Sequence, residues 1–354
     1  MRKHTIGELN VLLCYKNFGA FQGISHIGLG VSAMNNCKNL NALGIRAQVI
    51  PLKSPADLTA ALKQNPGVTH VIISAPWIPT AVLSSLCAYY PETQFAVVSH
   101  SNTGFLQADR SGIRLIKEYL ELEAGTYNFH MAGNCTQFVG WVEETFREPC
   151  TYLPNMYFLH DRHGERKEMW DGGLLRIGIF GAARVGKNFI SATGAAMEIA
   201  TNLGVQTEIW VNSGREDGPE SRVIRGAMQE LTEGMPNLEL KYANWRPWPQ
   251  FKRLIGSMNL LLQPSYTESF NVVCADGIAM GVPCVVSEAI SWAPRSWKAE
   301  IDDVNDIARV GLALIGDPGA ARTGFHALQT YIRAARNAWL EYLLENKFGH
   351  TPRL

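Results

Sequence analysis

Short apolar segments alternate with amphipathic stretches along nearly the whole chain. Apolar and β-branched runs of this kind are typical of buried strands, and the stretches between them are typical of helices. The predicted strands span residues 9–15, 48–52, 70–74, 94–99, 126–130 and 150–154, and then 174–180, 207–211, 238–243, 259–263 and 283–287. Because these strands are apolar throughout, they indicate parallel sheets covered by helices on both faces, an α/β fold.

A polar, charged segment at 161–173 interrupts this alternation and ends in the pair Gly172 and Gly173. Such composition is typical of a linker between domains. The chain is therefore predicted to form an N-terminal domain over 1–160 and a C-terminal domain over 174–334, each a doubly wound, Rossmann-like parallel sheet. Ligands are expected at the carboxyl ends of the strands, in a cleft that the two domains face.

Composition narrows the class of protein. The chain has 354 residues, 46% hydrophobic and 18% charged, with a formal net charge of zero. No global charge therefore attracts it to nucleic acid or an anionic membrane. Its seven scattered cysteines contain no CxxC pair, which favours buried thiols in a reducing compartment. The sequence shows no signal-peptide core and no transmembrane segment, so we expect a soluble, cytoplasmic protein.

One stretch, residues 259–287, carries the most specific chemistry. A buried strand ends at Pro264, and a helix is predicted to follow and to run to about residue 279. Gly281 supplies its stop signal. The helix is expected to be capped by one of three polar residues in the intervening loop: Ser265, Thr267 or Glu268.

The start of this helix is predicted to face a ligand. Its amide N–H groups lack acceptors within the helix and attract anions. They belong to Ser269, Phe270, Asn271 and Val272. Glu268 lies in the loop, and Asp276 lies about two turns into the helix on nearly the same face. Two carboxylates around a helix start suit a ligand with an anionic centre and hydroxyls at both ends, such as a nucleoside diphosphate sugar.

This segment resembles the donor-site signature of GT-B glycosyltransferases of the large retaining group 1 family, which is family 4-like. In that signature two glutamates are separated by seven residues, and the first begins Glu-Gly-Phe-Gly. Here Ser269 and Asn271 replace the glycines, and Asp276 replaces the second glutamate. The resemblance implies a GT-B fold whose C-terminal helix, at about 335–354, crosses back to the first domain. It also implies that Glu268 holds the transferring sugar and that Asp276 binds the ribose.

A second loop follows the first strand of the second domain and contains a lysine. Gly181 to Asn188 nearly spell the P-loop GxxxxGK[ST], but Asn188 stands where a magnesium-binding hydroxyl is required. A P-loop-like nucleoside triphosphatase is the alternative interpretation of this loop. By resemblance, an arginine and a lysine in this loop bind the donor diphosphate. Lys187 holds the lysine position, whereas Ala182 stands at the arginine position, so Arg184 is expected to take that role.

These cations bear on the need for a metal. Lys187 and Arg184 would neutralise charge on the leaving diphosphate, which a divalent ion does in other enzymes. No aspartate pair aimed at a diphosphate is evident in the sequence. We therefore expect transfer without a metal or another cofactor.

Three further residues are candidates, each with a structural alternative. His100 follows a predicted strand and can donate to a sugar hydroxyl or reacting oxygen, as the resemblance implies, or can simply bond nearby backbone. Gly23 can let the backbone approach the diphosphate or form a plain turn. Trp245 lies in a segment that, by the resemblance, borders the nucleotide base. Its side chain either stacks on that base or belongs to the core.

The sequence thus predicts a retaining, metal-independent glycosyltransferase that uses a UDP- or GDP-sugar. The acceptor is left open among a glycan, a lipid, a protein, a small molecule and a modified DNA base. The same residues are also compatible with a non-catalytic protein that binds a nucleotide sugar or glycan, and with a sugar-nucleotide epimerase.

Overall fold

The computed structural model describes residues 4–17, 27–107, 109–160, 170–213 and 220–345. The chain divides into two compact units. Among the described residues, the first unit contains 4–17, 27–107, 109–158 and 332–345. The second contains 159–160, 170–213 and 220–331. Of the linker predicted at 161–173, residues 161–169 lie outside the described part of the chain.

The first unit is built on a parallel sheet of six strands in the order β2-β1-β3-β4-β5-β6. The strands are β1 (Asn10–Lys16), β2 (Arg46–Leu52), β3 (His70–Ser74), β4 (Gln94–Ser99), β5 (Phe129–Gly133) and β6 (Thr151–Tyr152). The helices are α1 (Ile27–Ala42), α2 (Pro55–Gln64), α3 (Thr80–Tyr89), α4 (Thr103–Leu106), α5 (Arg110–Gly125) and α6 (Thr136–Phe146). One apolar cluster of its core is drawn from the strands β1 to β5 and the helices α2 to α6.

The second unit is built on a parallel sheet of five strands in the order β11-β10-β7-β8-β9. The strands are β7 (Leu175–Ile179), β8 (Thr207–Asn212), β9 (Leu238–Ala243), β10 (Leu260–Gln263) and β11 (Cys284–Val286). The helices are α7 (Phe189–Leu203), α8 (Glu220–Thr232), α9 (Trp248–Gly256), α10 (Val272–Ala279), α11 (Val304–Gly316) and α12 (Ala320–Glu345). The prediction of two Rossmann-like parallel-sheet domains is confirmed.

One predicted strand is shifted along the chain. The sequence pattern placed it at 126–130, but β5 covers Phe129–Gly133. The reason is Asn128, whose buried side-chain amide donates to the carbonyls of Cys87, Tyr90 and Thr93 at 3.2, 3.1 and 2.9 Å. These contacts hold Asn128 in a turn, and the strand begins one residue later, where Phe129 pairs with Phe95.

The strand order of the second sheet identifies the place where a ligand is expected. From β7 the chain adds β8 and β9 on one side, and it then returns to add β10 and β11 on the other. The strands β7 and β10 therefore flank the point where the order reverses. In open α/β sheets, ligands bind beyond the carboxyl ends of the strands at such a point. The Gly181 loop follows β7, and the Glu268 loop follows β10.

The C-terminal helix α12 is one continuous helix of 26 residues. It begins in the second unit, and its residues from Ile332 belong to the first, as expected for a helix that crosses back. There the indole N–H of Trp339 donates to the Pro154 carbonyl at 2.8 Å, and Arg336 donates to Asn39 Oδ1 at 2.8 and 3.0 Å. Across the described ranges, no helix has the length and apolar composition needed to cross a bilayer.

A buried polar cluster lies at the amino end of the first sheet. His70, the first residue of β3, is fully buried, and its ring centroid is 5.6 Å from that of Tyr342 on α12. His130 approaches the same tyrosine at 5.7 Å and lies 3.1 Å from Gln94 Oε1. Desolvation, with smaller effects of His4 and His130, lowers the pKa of His70 to about 3. His70 is therefore neutral in the folded protein at neutral pH.

We predict that acid destabilises the first unit through His70. The folded-state pKa lies below the ordinary value of 6.5, so the unfolded chain binds the proton more tightly. The contribution of neutral His70 to the free energy of unfolding is fully present above about pH 6.5. It falls by about 1.4 kcal/mol per pH unit as the pH drops towards 3. Between pH 6.5 and 5 the loss is about 2 kcal/mol. Hydrogen exchange of the β3 amides, corrected for its intrinsic pH dependence, measures this change.

The matched variants are His70→Gln, which has no charge to gain, and His326→Gln at an exposed position of α12. The first should flatten the pH dependence in this range and the second should leave it unchanged. An equally steep dependence in His70→Gln would show that another group is responsible.

Candidate functional site

Two loops lie side by side at the carboxyl ends of β7 and β10. The amide N–H of Tyr266 donates to the Gly186 carbonyl at 2.9 Å, which joins the loops directly. Below this contact, Gln263 Nε2 at the end of β10 donates to the Phe180 carbonyl at 3.0 Å. The strand register and these two hydrogen bonds bring the predicted lysine loop against the predicted glutamate loop.

Glu268 is the centre of the site. Its Oε1 atom accepts hydrogen bonds from Lys187 Nζ at 2.5 Å, Ser265 Oγ at 2.8 Å and Asn271 Nδ2 at 2.9 Å. The Glu268 side chain is 10% exposed and that of Lys187 is 23% exposed. A carboxylate shielded this far from water needs a cation and hydrogen-bond donors close by. The structure therefore brings Glu268 and Lys187 together, although they lie 81 residues apart.

Asn271 fixes the start of α10. Its Oδ1 accepts from the Cys274 amide at 2.8 Å, and its Nδ2 also donates to Gln263 Oε1 at 3.1 Å. Its φ of +65° lies in the left-handed region that favours glycine and tolerates asparagine. This explains how Asn271 occupies a position where the resembling family has glycine, and why its amide can serve both as helix cap and as support for Glu268.

The predicted cap at Ser265, Thr267 or Glu268 is therefore wrong. Both Ser265 and Glu268 belong to the side-chain network of the loop, and the chain stays irregular until Asn271. Helix α10 begins at Val272.

The first turn of α10 presents the positive end of the helix. The amides of Val272 and Val273 precede the residues that find acceptors inside the helix. The half-buried Ser269 lies just before this turn. Phe270 is buried instead, with its ring centroid 5.4 Å from those of both Trp292 and Tyr331. The indole of Trp292 also donates to the Phe270 carbonyl at 2.6 Å, so Phe270 anchors the helix start by packing.

Asp276 lies inside α10 and is 1% exposed. Both of its carboxylate oxygens are 3.0 Å from Nε1 of Trp248, the first residue of α9. Lys252 Nζ lies 4.4 Å from the centroid of the same indole. The sequence analysis selected Trp245 in this region, and that side chain is 48% exposed. The contact between Trp248 and Asp276 was not predicted. Pro249, in the first turn, marks Trp248 as the start of a helix, although nothing local indicates the contact of Trp248 with Asp276.

The lysine loop does not have the free backbone of a P-loop. Such a loop binds phosphate through several N–H groups, and here some of them are already used. Gly181 N donates to Asn212 Oδ1 at 2.7 Å, and Lys187 N donates to the Arg184 carbonyl at 2.9 Å. Asn188 has a left-handed φ of 55°, and its side chain donates to the Ile301 carbonyl at 2.8 Å. This arrangement disfavours a triphosphate-wrapping loop.

Three candidates from the sequence remain to be located: Arg184, His100 and Gly23. Arg184 is half-buried and immediately precedes the short 3-10 helix Val185–Lys187. His100 belongs to the first unit, where Asn134 Nδ2 approaches its Nδ1 at 3.3 Å. Desolvation lowers the pKa of His100 to about 4, so its imidazole is neutral at pH 7. Gly23 lies outside the described residues.

Acidic residues near the site have local partners. Asp303 caps α11 by accepting from the amides of Asn305 and Asp306. Asp302 accepts from the Tyr266 hydroxyl at 2.9 Å. Within the described ranges, His, Cys, Asp and Glu side chains form no group of three or more that could hold a metal ion.

Comparison with known proteins identifies the fold. No family model and no curated protein sequence matches the chain. Among solved structures, sucrose-phosphate synthase from Thermosynechococcus elongatus has a TM-score of 0.63 at 14% identity, covering 94% of this chain and 97% of that one. A glycosyltransferase from Rickettsia africae has a TM-score of 0.63 at 12% identity, covering 97% and 100%. The chain has the GT-B fold.

A third similar structure is a UDP-forming α,α-trehalose-phosphate synthase from Burkholderia xenovorans. It has a TM-score of 0.57 at 12% identity, and the match covers 82% of this chain and 76% of that one. At such identities the similarity concerns the fold alone. The chemistry of this chain must therefore be argued from its own site.

The network around Glu268 predicts energetic coupling between Lys187 and Glu268. Lys187→Met should destabilise the second unit by about 3 kcal/mol, because it leaves a shielded carboxylate without its cation. The double variant with Glu268→Gln should lose less than the sum of the two single variants. We expect a coupling energy of about 1–3 kcal/mol, measured by urea unfolding of all four proteins.

An exposed pair in the same unit provides the control. Arg309 and Asp306 are 69% and 21% exposed, and their coupling should stay below about 0.5 kcal/mol. Additive losses for Lys187 and Glu268 would show that their contact contributes nothing to the stability of the site.

Proposed function

We propose that this protein is a glycosyltransferase that takes a sugar from a nucleotide-diphosphate donor and transfers it with retention, without a metal. The observation that carries the proposal is the contact between Lys187 and Glu268 beside the start of α10. A cation, a carboxylate and a helix N-terminus then surround one point at the switch of a parallel sheet. That combination suits a diphosphate with a hydroxyl-rich group attached to it.

Lys187 is proposed to neutralise the negative charge that develops on the leaving diphosphate. Its ammonium group lies in a partly buried loop, where the electrostatic attraction to a phosphate is stronger than in bulk water. The positive end of α10 adds to this attraction, and Arg184 lies in the same loop to supply a second fixed cation. Without donor, the ion pair with Glu268 keeps Lys187 in place.

Glu268 is proposed to accept hydrogen bonds from the hydroxyl groups of the transferring sugar. Ser265 and Asn271 orient its carboxylate, so it stays positioned when Lys187 turns to the diphosphate. Its binding energy is useful where it grows in the transition state. The bond from the anomeric carbon to the diphosphate oxygen breaks while the acceptor oxygen bonds to the same face, and the acceptor proton passes to the departing phosphate. This route needs no covalent sugar–enzyme intermediate of the two-carboxylate kind.

The proposal extends to the nucleotide of the donor and to the part of the protein that binds the acceptor. One structural neighbour is named as UDP-forming, which supports a UDP-sugar, with a GDP-sugar as the other choice. Trp245, half-exposed just before α9, is proposed to border the base. The first unit, including the neutral imidazole of His100, is proposed to contribute the acceptor side and a hydrogen bond to a sugar hydroxyl.

A second candidate is a protein that binds a nucleotide sugar without transferring it. Ala182 stands where the resembling family has arginine, which removes one diphosphate contact. Asp276 is also engaged by Trp248. Release of nucleoside diphosphate from a donor separates the two candidates, because a binding protein releases none. A sugar-nucleotide epimerase would instead yield an epimerised sugar.

Glu268→Ala should lower the transfer rate strongly while the protein remains folded. Loss of charge-assisted hydrogen bonds to the sugar should cost about 2–4 kcal/mol of transition-state binding, a rate reduction of about 30-fold to 1,000-fold. Release of nucleoside diphosphate measures kcat/KM, and Glu230→Ala at an exposed position of α8 is the control. A rate for Glu268→Ala within about twofold of the parent would refute the assignment.

Transfer should continue in excess chelator, because Lys187 and Arg184 neutralise the charge on the leaving diphosphate without a metal ion. Arg184→Ala should then lower kcat by about tenfold and change the donor Kd by less than about threefold, since its contact strengthens as charge develops. Arg322→Ala, at an exposed position of α12, is the control. Activity that stops with chelator and returns with magnesium or manganese would contradict the mechanism.

A further inference from the structure

Trp248 and Asp276 form a buried polar contact beside the proposed donor site. The Asp276 carboxylate is 1% exposed, and the Trp248 N–H is shared between its two oxygens at 3.0 Å each. A donor equidistant from both oxygens lies in the plane that bisects the carboxylate between them. This direction is also the one from which a pair of neighbouring hydroxyls reaches both oxygens.

Two features of α9 hold this indole in place. Trp248 begins α9 directly after Pro247, whose φ of −54° is set by its ring. Lys252, one turn later on the same helix, places its ammonium group 4.4 Å from the centroid of the indole ring. The indole is therefore held over Asp276 by a helix start and by a cation.

Asp276 also faces the start of its own helix. It lies four residues after Val272, so the two share one face of α10, and helical side chains lean towards the N-terminus. A ligand whose diphosphate meets the first turn of α10 would thus bring its ribose towards Asp276. The Asp276 carboxylate is 1% exposed, and the indole N–H lies between its two oxygens, where the ribose hydroxyls would have to approach.

We propose that Trp248 is a specificity-determining residue that removes ribose recognition from the donor site. The inference rests on the proposed function. The donor is then bound through its diphosphate, its sugar and its base, while the 2′-hydroxyl makes no contact that matters for affinity. The substrate class therefore includes 2′-deoxyribonucleotide sugars as well as their ribonucleotide counterparts.

The experiment measures Kd by calorimetry for UDP, GDP and their 2′-deoxy forms. In the parent protein, the ribo and deoxy forms of the nucleotide that binds should have Kd values within about twofold. Trp248→Phe keeps an aromatic ring but removes the N–H and opens space beside Asp276. This variant should prefer the ribonucleotide by about tenfold, because its 2′-hydroxyl gains a charge-assisted hydrogen bond.

Two further variants test whether this preference passes through Asp276. Adding Asp276→Asn to Trp248→Phe should return the ratio of the Kd values to within about twofold. Trp210→Phe, which removes another indole N–H that donates to a carboxylate, Glu208 Oε2 at 2.9 Å, should leave the ratio of the parent unchanged. If Trp248→Phe does not fold, Asp276→Asn alone replaces it, since the asparagine oxygen still accepts from the indole. The ratio should then stay near one.

The outcomes separate the inference from the proposed function. A parent protein that binds a nucleotide but prefers its ribo form by fivefold or more overturns the inference alone. An unchanged ratio in folded Trp248→Phe, or a fivefold change in the ratio for Asp276→Asn, overturns it as well. A parent protein that binds none of the nucleotides at millimolar concentration overturns the proposed function, and the inference with it.

Discussion

A shielded carboxylate that must be kept neutralised organises the second unit of this protein. Glu268 is largely shielded from water, and its Oε1 atom accepts three hydrogen bonds, from Lys187, Ser265 and Asn271. A carboxylate in such a position is costly unless its partners are in place. The requirement brings two distant loops together, selects an asparagine at the start of α10 and leaves a cation beside a helix N-terminus.

The topology of the sheet places this network where a ligand can reach it. Strands β7 and β10 are neighbours although they are far apart along the chain, and the loops that follow them lie at the reversal of strand order. The end of β10 is also tied to β7 through Gln263 and the Phe180 carbonyl. The carboxyl ends of two interior strands thus support a polar site, an arrangement that favours preorganised binding.

The parts of the structure that local patterns determine could be predicted from the sequence. The apolar runs of β3, β4 and β10 fix buried strands, and the glycine and lysine of the loop at 181–187 mark a turn before a helix. What failed depends on contacts between distant residues. Asn128 shifts β5 through carbonyls 35 to 41 residues away. Trp248 meets Asp276 across 28 residues, and no local pattern indicates this contact.

The most direct test of the central claim is release of nucleoside diphosphate from a panel of nucleotide sugars, followed by NMR of the released sugar. The account predicts that one donor is cleaved in the presence of chelator, that its anomeric configuration is retained at first release, and that cleavage requires Lys187. Failure to cleave any donor, together with magnesium-dependent ATP or GTP hydrolysis that requires Lys187, would contradict it. The loop at 181–188 would then bind a triphosphate, and the contact with Glu268 would be purely structural.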